Sequence, residues 1–102
     1  MYSFIYITAS SKEEAEKIAK ALVEDKLAAC VNIFPITSMF WWEGKIENAN
    51  EYAMIVKTTA EKFAEIRKKV KELHSYKVPC ICEIPISRGL REFLDWIDEV
   101  VE

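Results

Sequence analysis

Cys80-Ile81-Cys82 places two thiols two residues apart in a stretch that reads as a strand, so both leave the same face. Thiolates are soft donors suited to Cu(I) or zinc, and Cys30 and His74 are the candidates to complete such a set. The metal-ligating residues expected on this ground are Cys30, His74, Cys80 and Cys82. A competing reading uses the same spacing: Cys80, Cys82, Ile84 and Ile86 form one apolar stripe, in which free cysteine packs as a small hydrophobe. Parallel thiols on a strand also suit a shared tetrahedral ion less well than a CxxC turn does. His74 is the only histidine and falls at the end of a predicted helix. There imidazole caps carbonyls and the dipole favours a protonated ring, while ligation or proton donation at a cleft is the functional alternative. Glu51 and Lys57 share a parity on an otherwise apolar strand, as partners in a polar pocket or as solvated strand ends. Facing inward, each would need a partner, because an isolated buried charge is very costly.

Other chemistries lack support. Trp41-Trp42 would stack on nucleobases only with interleaved basic residues, and the neighbours are Glu43, Glu47 and a lone Lys45. Packing against another subunit is the better reading of the tryptophans. Two glycines, Gly44 and Gly89, make no phosphate-cradling loop, and no local signature of a nucleophile system is present.

The elements that would position these groups follow from periodicity. Tyr2 to Thr8 is apolar at both parities, as in a strand buried on both faces. Ser11-Lys12-Glu13-Glu14 reads as a capping box, with Ala15, Ile18, Ala19, Leu22 and Val23 at helical spacing to near Lys26. Leu27 to Phe34 is a second strand, interrupted by Pro35, which suggests a bulge or an edge segment there, and resumed at Ser38 to Trp42. Glu43-Gly44 is a tight turn into a return strand with a bulge or kink at Asn48-Ala49-Asn50. A second capping box, Thr58 to Glu61, opens a helix carrying Phe63, Ile66, Val70 and Leu73. A polar turn to Pro79, a strand from Cys80 to Ile86 and a C-terminal helix with Phe93, Leu94, Trp96, Ile97 and Val100 complete the chain.

The order β-α-β-β-α-β plus a helix predicts an α+β, ferredoxin-like fold with both crossover helices on one side of the sheet. The opposite face then stays open, yet Tyr2, Phe4, Tyr6, Phe34, Met39, Trp41 and Trp42 cannot all lie under two helices. So large an apolar surface and a long hairpin edge predict self-association in a closed assembly. The 102 residues make a single domain, 1–102, with 51% hydrophobic and 30% charged residues and a net charge of −3. That balance gives no reason to expect nucleic-acid binding. No apolar run approaches the roughly 20 residues of a bilayer span, and the N-terminus lacks the basic region of a signal peptide. Three cysteines are an odd number for a disulfide framework, so the expectation is reduced thiols in the cytoplasm.

Five segments in order carry a resemblance: Leu27-Ala28-Ala29-Cys30-Val31-Asn32, Trp41-Trp42-Glu43-Gly44-Lys45-Ile46, Glu51, Val56-Lys57-Thr58, and Glu72-Leu73-His74-Ser75-Tyr76-Lys77-Val78-Pro79. Together, over nearly the whole chain, they resemble the CutA divalent-cation-tolerance proteins. The resemblance implies a ferredoxin-like subunit in a homotrimer with hairpins pairing between subunits. It also implies tolerance to divalent metals, with copper the metal most often attributed, and no evident turnover. A small-ligand sensor or an enzyme using an intersubunit cleft is the alternative. Carried over by position, the family's site implies Cys30, Glu51, Lys57, His74 and Tyr76, with Trp42 nearby; the ligand cleft is thus Trp42, Glu51, Lys57 and Tyr76. The chain departs from the family where an acidic residue often follows the proline, here Cys80, and where a second proline is common, here Ser75. The first change weakens any oxygen-ligand or acid/base role there, and a thiol in its place instead favours a soft metal.

Overall fold

The structure, a computed structural model, describes residues 1–101. Its elements are β1 (Tyr2–Ala9), α1 (Lys12–Glu24), β2 (Cys30–Trp42), β3 (Lys45–Thr59), a 3-10 turn (Ala60–Lys62), α2 (Phe63–Leu73), β4 (Ile81–Ile86) and α3 (Arg91–Val100). This is a mixed α+β arrangement around one antiparallel sheet ordered β2-β3-β1-β4. β3 stands between β1 and β2, and β1 between β3 and β4, so each β-α-β connection skips a strand.

Strand periodicity sorts the side chains of β1. Ser3, Ile5, Ile7 and Ala9 are buried, whereas Tyr2, Phe4, Tyr6 and Thr8 are half-buried. Ile5 and Ile7 form the main core with Met54 and Val56 of β3, Ala15, Ile18 and Leu22 of α1, and Ile66 and Val70 of α2. The expected burial of β1 on both faces is therefore met on one face only within the chain. α3 goes to the second face: Leu94 and Ile97 pack with Ala29 and Val101, and Tyr2 and Phe93 lie against them. That helix covers only one end of the sheet.

Local chemistry explains the boundaries. The Ser11 hydroxyl accepts from the backbone N–H of Glu14 at 3.1 Å, the N-cap bond expected of a capping box. The return bond differs, since the Glu14 carboxylate reaches Ser10 instead of Ser11. α1 ends in a Schellman arrangement, with the Lys26 N–H on the Val23 carbonyl and the Leu27 N–H on that of Leu22. Lys26 takes the left-handed conformation there, at φ 57°. The second capping box does not form. Thr59 makes no side-chain cap bond, and the Thr58 hydroxyl is buried, donating to the Leu27 carbonyl at 2.6 Å. A 3-10 turn leads into α2 instead.

Two expected interruptions are also absent. β2 runs unbroken through Pro35, which faces Tyr52, and β3 passes through Asn48-Ala49-Asn50 without a bulge. β2 is an edge strand, where proline can turn the side lacking an N–H away from its neighbour. The turn joining the strands has positive φ at both Glu43 (48°) and Gly44 (78°), the type I′ pattern that matches strand twist. β1 pairs with β3 only from Tyr52 to Thr59, so residues 36–51 form a two-stranded arm projecting roughly 20 Å beyond the sheet.

A substitution separates the core from the surface. Ile7 has no exposed area, and Ile7→Ala should cost about 2–5 kcal/mol through lost burial and a residual cavity. Val23→Ala, at an exposed helix position, should stay within about 0.5 kcal/mol. Equilibrium guanidinium unfolding reads both, and equal midpoints would contradict this assignment of the core.

Candidate functional site

Polar groups converge where α2 returns to the sheet. The backbone N–H of His74 donates to the Val70 carbonyl at 2.9 Å and closes the helix. The His74 side chain is completely buried. Its Nε2–H donates to the carbonyl of Thr8, near the end of β1, at 2.7 Å, and Nδ1 accepts the backbone N–H of Tyr76 at 3.0 Å. A carbonyl only accepts, so these two bonds set the tautomer. The chain then lays Tyr76 beside the ring, with centroids 4.9 Å apart, and carries its hydroxyl to Glu51 Oε2 at 2.6 Å.

Glu14 ties the same corner to α1. Its Oε1 accepts from the backbone N–H and hydroxyl of Ser10 at 2.9 and 3.0 Å, and its Oε2 accepts the backbone N–H of Ser75 at 2.7 Å. Burial works to raise the Glu14 pKa, but the bonds from Ser10 and Ser75 outweigh it and hold the carboxyl at about 2. Burial first, then the bond and charge of Glu51, push the Tyr76 phenol up to about 12. The phenol thus stays protonated and donates. Glu51 is only 8% exposed, and the Tyr76 hydroxyl is its partner.

Within one chain the structure does not bring the proposed metal set together. Cys30 lies on edge strand β2 opposite Lys57, whereas Cys82 lies on the other edge, β4, opposite Tyr6. Two strands separate them, a span of about 14 Å. His74 neither caps α2 through its ring nor offers a nitrogen, since both are engaged. Cys80 and Cys82 do stand together. Burial, then the Cys82 thiol, then the charge of Glu51 raise the Cys80 pKa. Among the described residues no three His, Cys, Asp or Glu side chains form a group able to hold a metal.

The ligand cleft fares similarly. Glu51 and Tyr76 meet, but Lys57 lies six residues along β3, about 20 Å away, and Trp42 lies at the far end of the arm opposite Lys45. Lys57 extends its ammonium over the rings of Phe4 and Phe93, at 5.8 and 5.6 Å from their centroids. It therefore belongs with Cys30 on a separate patch, where Asn32 Nδ2 approaches Cys30 Sγ at 3.9 Å. A shallow trough of about 860 Å³ on α2, lined by Glu65, Arg67, Lys68 and their neighbours, includes none of these groups.

Sequence reasoning missed Glu14 as the hub. The capping pattern marked its position, but nothing local signals a bond to Ser75, 61 residues away.

Two measurements test this corner. The Glu14 pKa is depressed in the folded state, so its stabilisation is full above about pH 4.5 and is lost as pH falls toward about 2. The gap in thermal midpoint between wild type and Glu14→Gln should narrow across that window, and a constant gap would refute the role. Tyr76→Phe leaves the Glu51 carboxylate without its donor and should cost about 1–3 kcal/mol in equilibrium unfolding, against no loss if the bond is incidental.

Residues 3–100 match the family described as CutA1 divalent ion tolerance protein. The chain is 74% identical over 102 residues to the divalent-cation tolerance protein CutA of Archaeoglobus fulgidus, with all of both chains covered. It is 48% identical over 100 residues to that of Thermus thermophilus, covering 97% of each. The A. fulgidus protein, whose structure is described as a periplasmic divalent cation tolerance protein, superposes with a TM-score of 0.99 over the whole of both chains at 74% identity. The T. thermophilus structure gives 0.97 at 47% identity, again covering both chains fully. The family is named for tolerance to ions and not for a reaction, and this chain belongs to the CutA1 divalent ion tolerance family.

Proposed function

We propose that the protein protects cells against excess divalent metal ions as a homotrimer of ferredoxin-like subunits, binding copper or a similar ion without turnover. The observation that carries the reading is the full-length, 74% identical relative named for divalent-cation tolerance. The geometry supports the assembly part. Met39 and Trp41 are each 73% exposed and Ile46 57% on an arm that pairs only with itself. An isolated two-stranded arm is marginal in water, and so large an apolar surface calls for partners. The outer edges of β2 and β4 are free, and an edge-to-edge contact between different surfaces closes into a ring.

The three free thiols favour a reducing compartment, and we place the protein in the cytoplasm on that ground. Among the described residues no helix is long and apolar enough to cross a membrane.

Growth of a strain lacking its own homologue, on raised copper, zinc or cadmium, tests the role. Expression of the protein should restore tolerance, and growth no better than with an empty vector would overturn it. Solution mass tests the assembly: three times the chain mass is expected, falling to one on replacing Trp41 and Trp42 by serine. A wild-type monomer at micromolar concentration would end the trimer reading.

A further inference from the structure

Two helices carry charge patterns that work against their own stability and complement each other. Residues 61–77 hold six basic side chains against three acidic ones, in a chain whose net charge is −3. On α2, Ala64, Arg67, Lys68 and Lys71 follow the spacing i, i+3, i+4, i+7 and help to line the trough of about 860 Å³. The three cations are exposed and form no ion pair among the described residues. Glu65 and Glu72 line the trough as well, but Glu65 is drawn to Lys62 at 3.8 Å. Like charges at i, i+4 repel, as Arg67 and Lys71 do here. The helix dipole offsets that for Lys71 in the last turn, and not for Arg67 and Lys68 nearer the middle.

α3 has the opposite pattern. Glu92, Asp95, Trp96 and Glu99 are exposed at the same i, i+3, i+4, i+7 spacing, while Leu94 and Ile97 are its buried side. Its last turn holds no basic residue, so Asp98 and Glu99 stand at the negative end of the helix dipole. Asp95 is held by Arg91 at 3.0 Å and Asp98 accepts from the Tyr2 hydroxyl, but Glu92 and Glu99 have no ion pair among the described residues. Trp96 is 40% exposed in the midst of these acids. We propose that the acidic face of α3 docks on the basic face of α2 in a second copy of the chain, joining one assembly to another.

The chain's own α3 cannot fill this place, because α2 packs on the Ile5 and Ile7 face of the sheet and α3 on the other. Laying the two stripes together sets Glu92, Asp95 and Glu99 among Arg67, Lys68 and Lys71. It also brings the Trp96 ring over a cation or its aliphatic stem, and indole is the best aromatic partner for a cation. Ala64 leaves room in the trough for so large a ring. A long polyanion fits less well, since it would also meet the acidic remainder of the chain, whereas a short acidic helix needs only the stripe. Neither face belongs to an edge strand or to the arm, so both stay available to the trimer proposed above. The two faces differ, so the contact is heterologous, and each assembly presents both. Exposed ion pairs are individually weak and screened by salt. The association is therefore reversible and set by ionic strength, with avidity wherever two assemblies share more than one contact.

The test is sedimentation velocity of the full-length protein over a concentration series, in about 10 mM and about 1 M salt. At low salt the mass should rise with concentration above the constant mass seen at high salt. The high-salt mass separately tests the trimer reading, whatever the outcome at low salt. Combining Arg67→Glu, Lys68→Glu and Lys71→Glu should raise the concentration needed for association at least about tenfold, and so should Glu92→Lys with Glu99→Lys. Mixing those two variants should restore association, because each supplies the charge that the other's face now lacks. Trp96→Ala should weaken it with no change of net charge. Lys12→Glu, Lys17→Glu and Lys20→Glu together, on exposed positions of α1, change the net charge as much as the α2 variant does and should leave it intact. Circular dichroism checks the fold of every variant. A wild-type mass independent of salt, equal loss in the α1 control, or association unchanged in the folded α2 and α3 variants would overturn the contact. So would a constant wild-type mass with salt-sensitive binding of added polyglutamate at α2, which would give that face to a foreign acidic partner.

Discussion

β1 must present Ile5, Ile7 and Ala9 to the helices, and that single register governs the rest of the molecule. A slip of one residue against β3 would put Tyr2, Phe4 and Tyr6 under α1 and α2 and send the isoleucines to the other face. With the register held, three consequences follow. The β3 partner of β1 ends at Tyr52, so everything nearer the turn must project as an arm. The Thr8 carbonyl comes to the sheet end where His74 arrives from α2. Cys82 falls opposite Tyr6 on the less covered face.

Much of this was legible because it is periodic or local. The order of elements, the Ser11 cap, the Glu43-Gly44 turn and the main apolar stripe of α1 all come from rules acting within a few residues. The misreadings were local rules overridden by tertiary contacts. Pro35 does mark an edge strand, as one of its two readings had it, but the strand runs through it unbroken because an edge position removes the penalty. Thr58 resembles a capping residue, yet its hydroxyl is taken by Leu27, 31 residues earlier. The site was legible as residue types and not as an arrangement. Parity placed Cys80 beside Cys82 correctly, because two residues on one strand need no tertiary knowledge. It could not show that Cys30 lies across the sheet or that Lys57 lies between two phenylalanine rings, since strand order decides both.

The two ends of β3 illustrate how the chain divides its work. From Tyr52 to Lys57 the strand is paired on both sides, and Glu51, just beyond, is anchored through Tyr76 to the turn after α2. Ser75 in that turn is in turn bonded to Glu14 at the start of α1. The corner ties the start of α1, the end of β1 and the end of α2 to the middle of β3 by directional bonds, and a buried polar group tolerates little displacement before its desolvation is uncompensated. The arm beyond Glu51 has the opposite character, with exposed aromatic and aliphatic side chains and, among the described residues, no strand pairing except its own ladder. A rigid base beneath an apolar arm aims that surface in one direction relative to the sheet. Orientation of this kind lowers the entropy lost when copies associate. The buried polar corner, at first sight a candidate for chemistry, is thus better understood as what makes the arm's direction reproducible from one copy to the next.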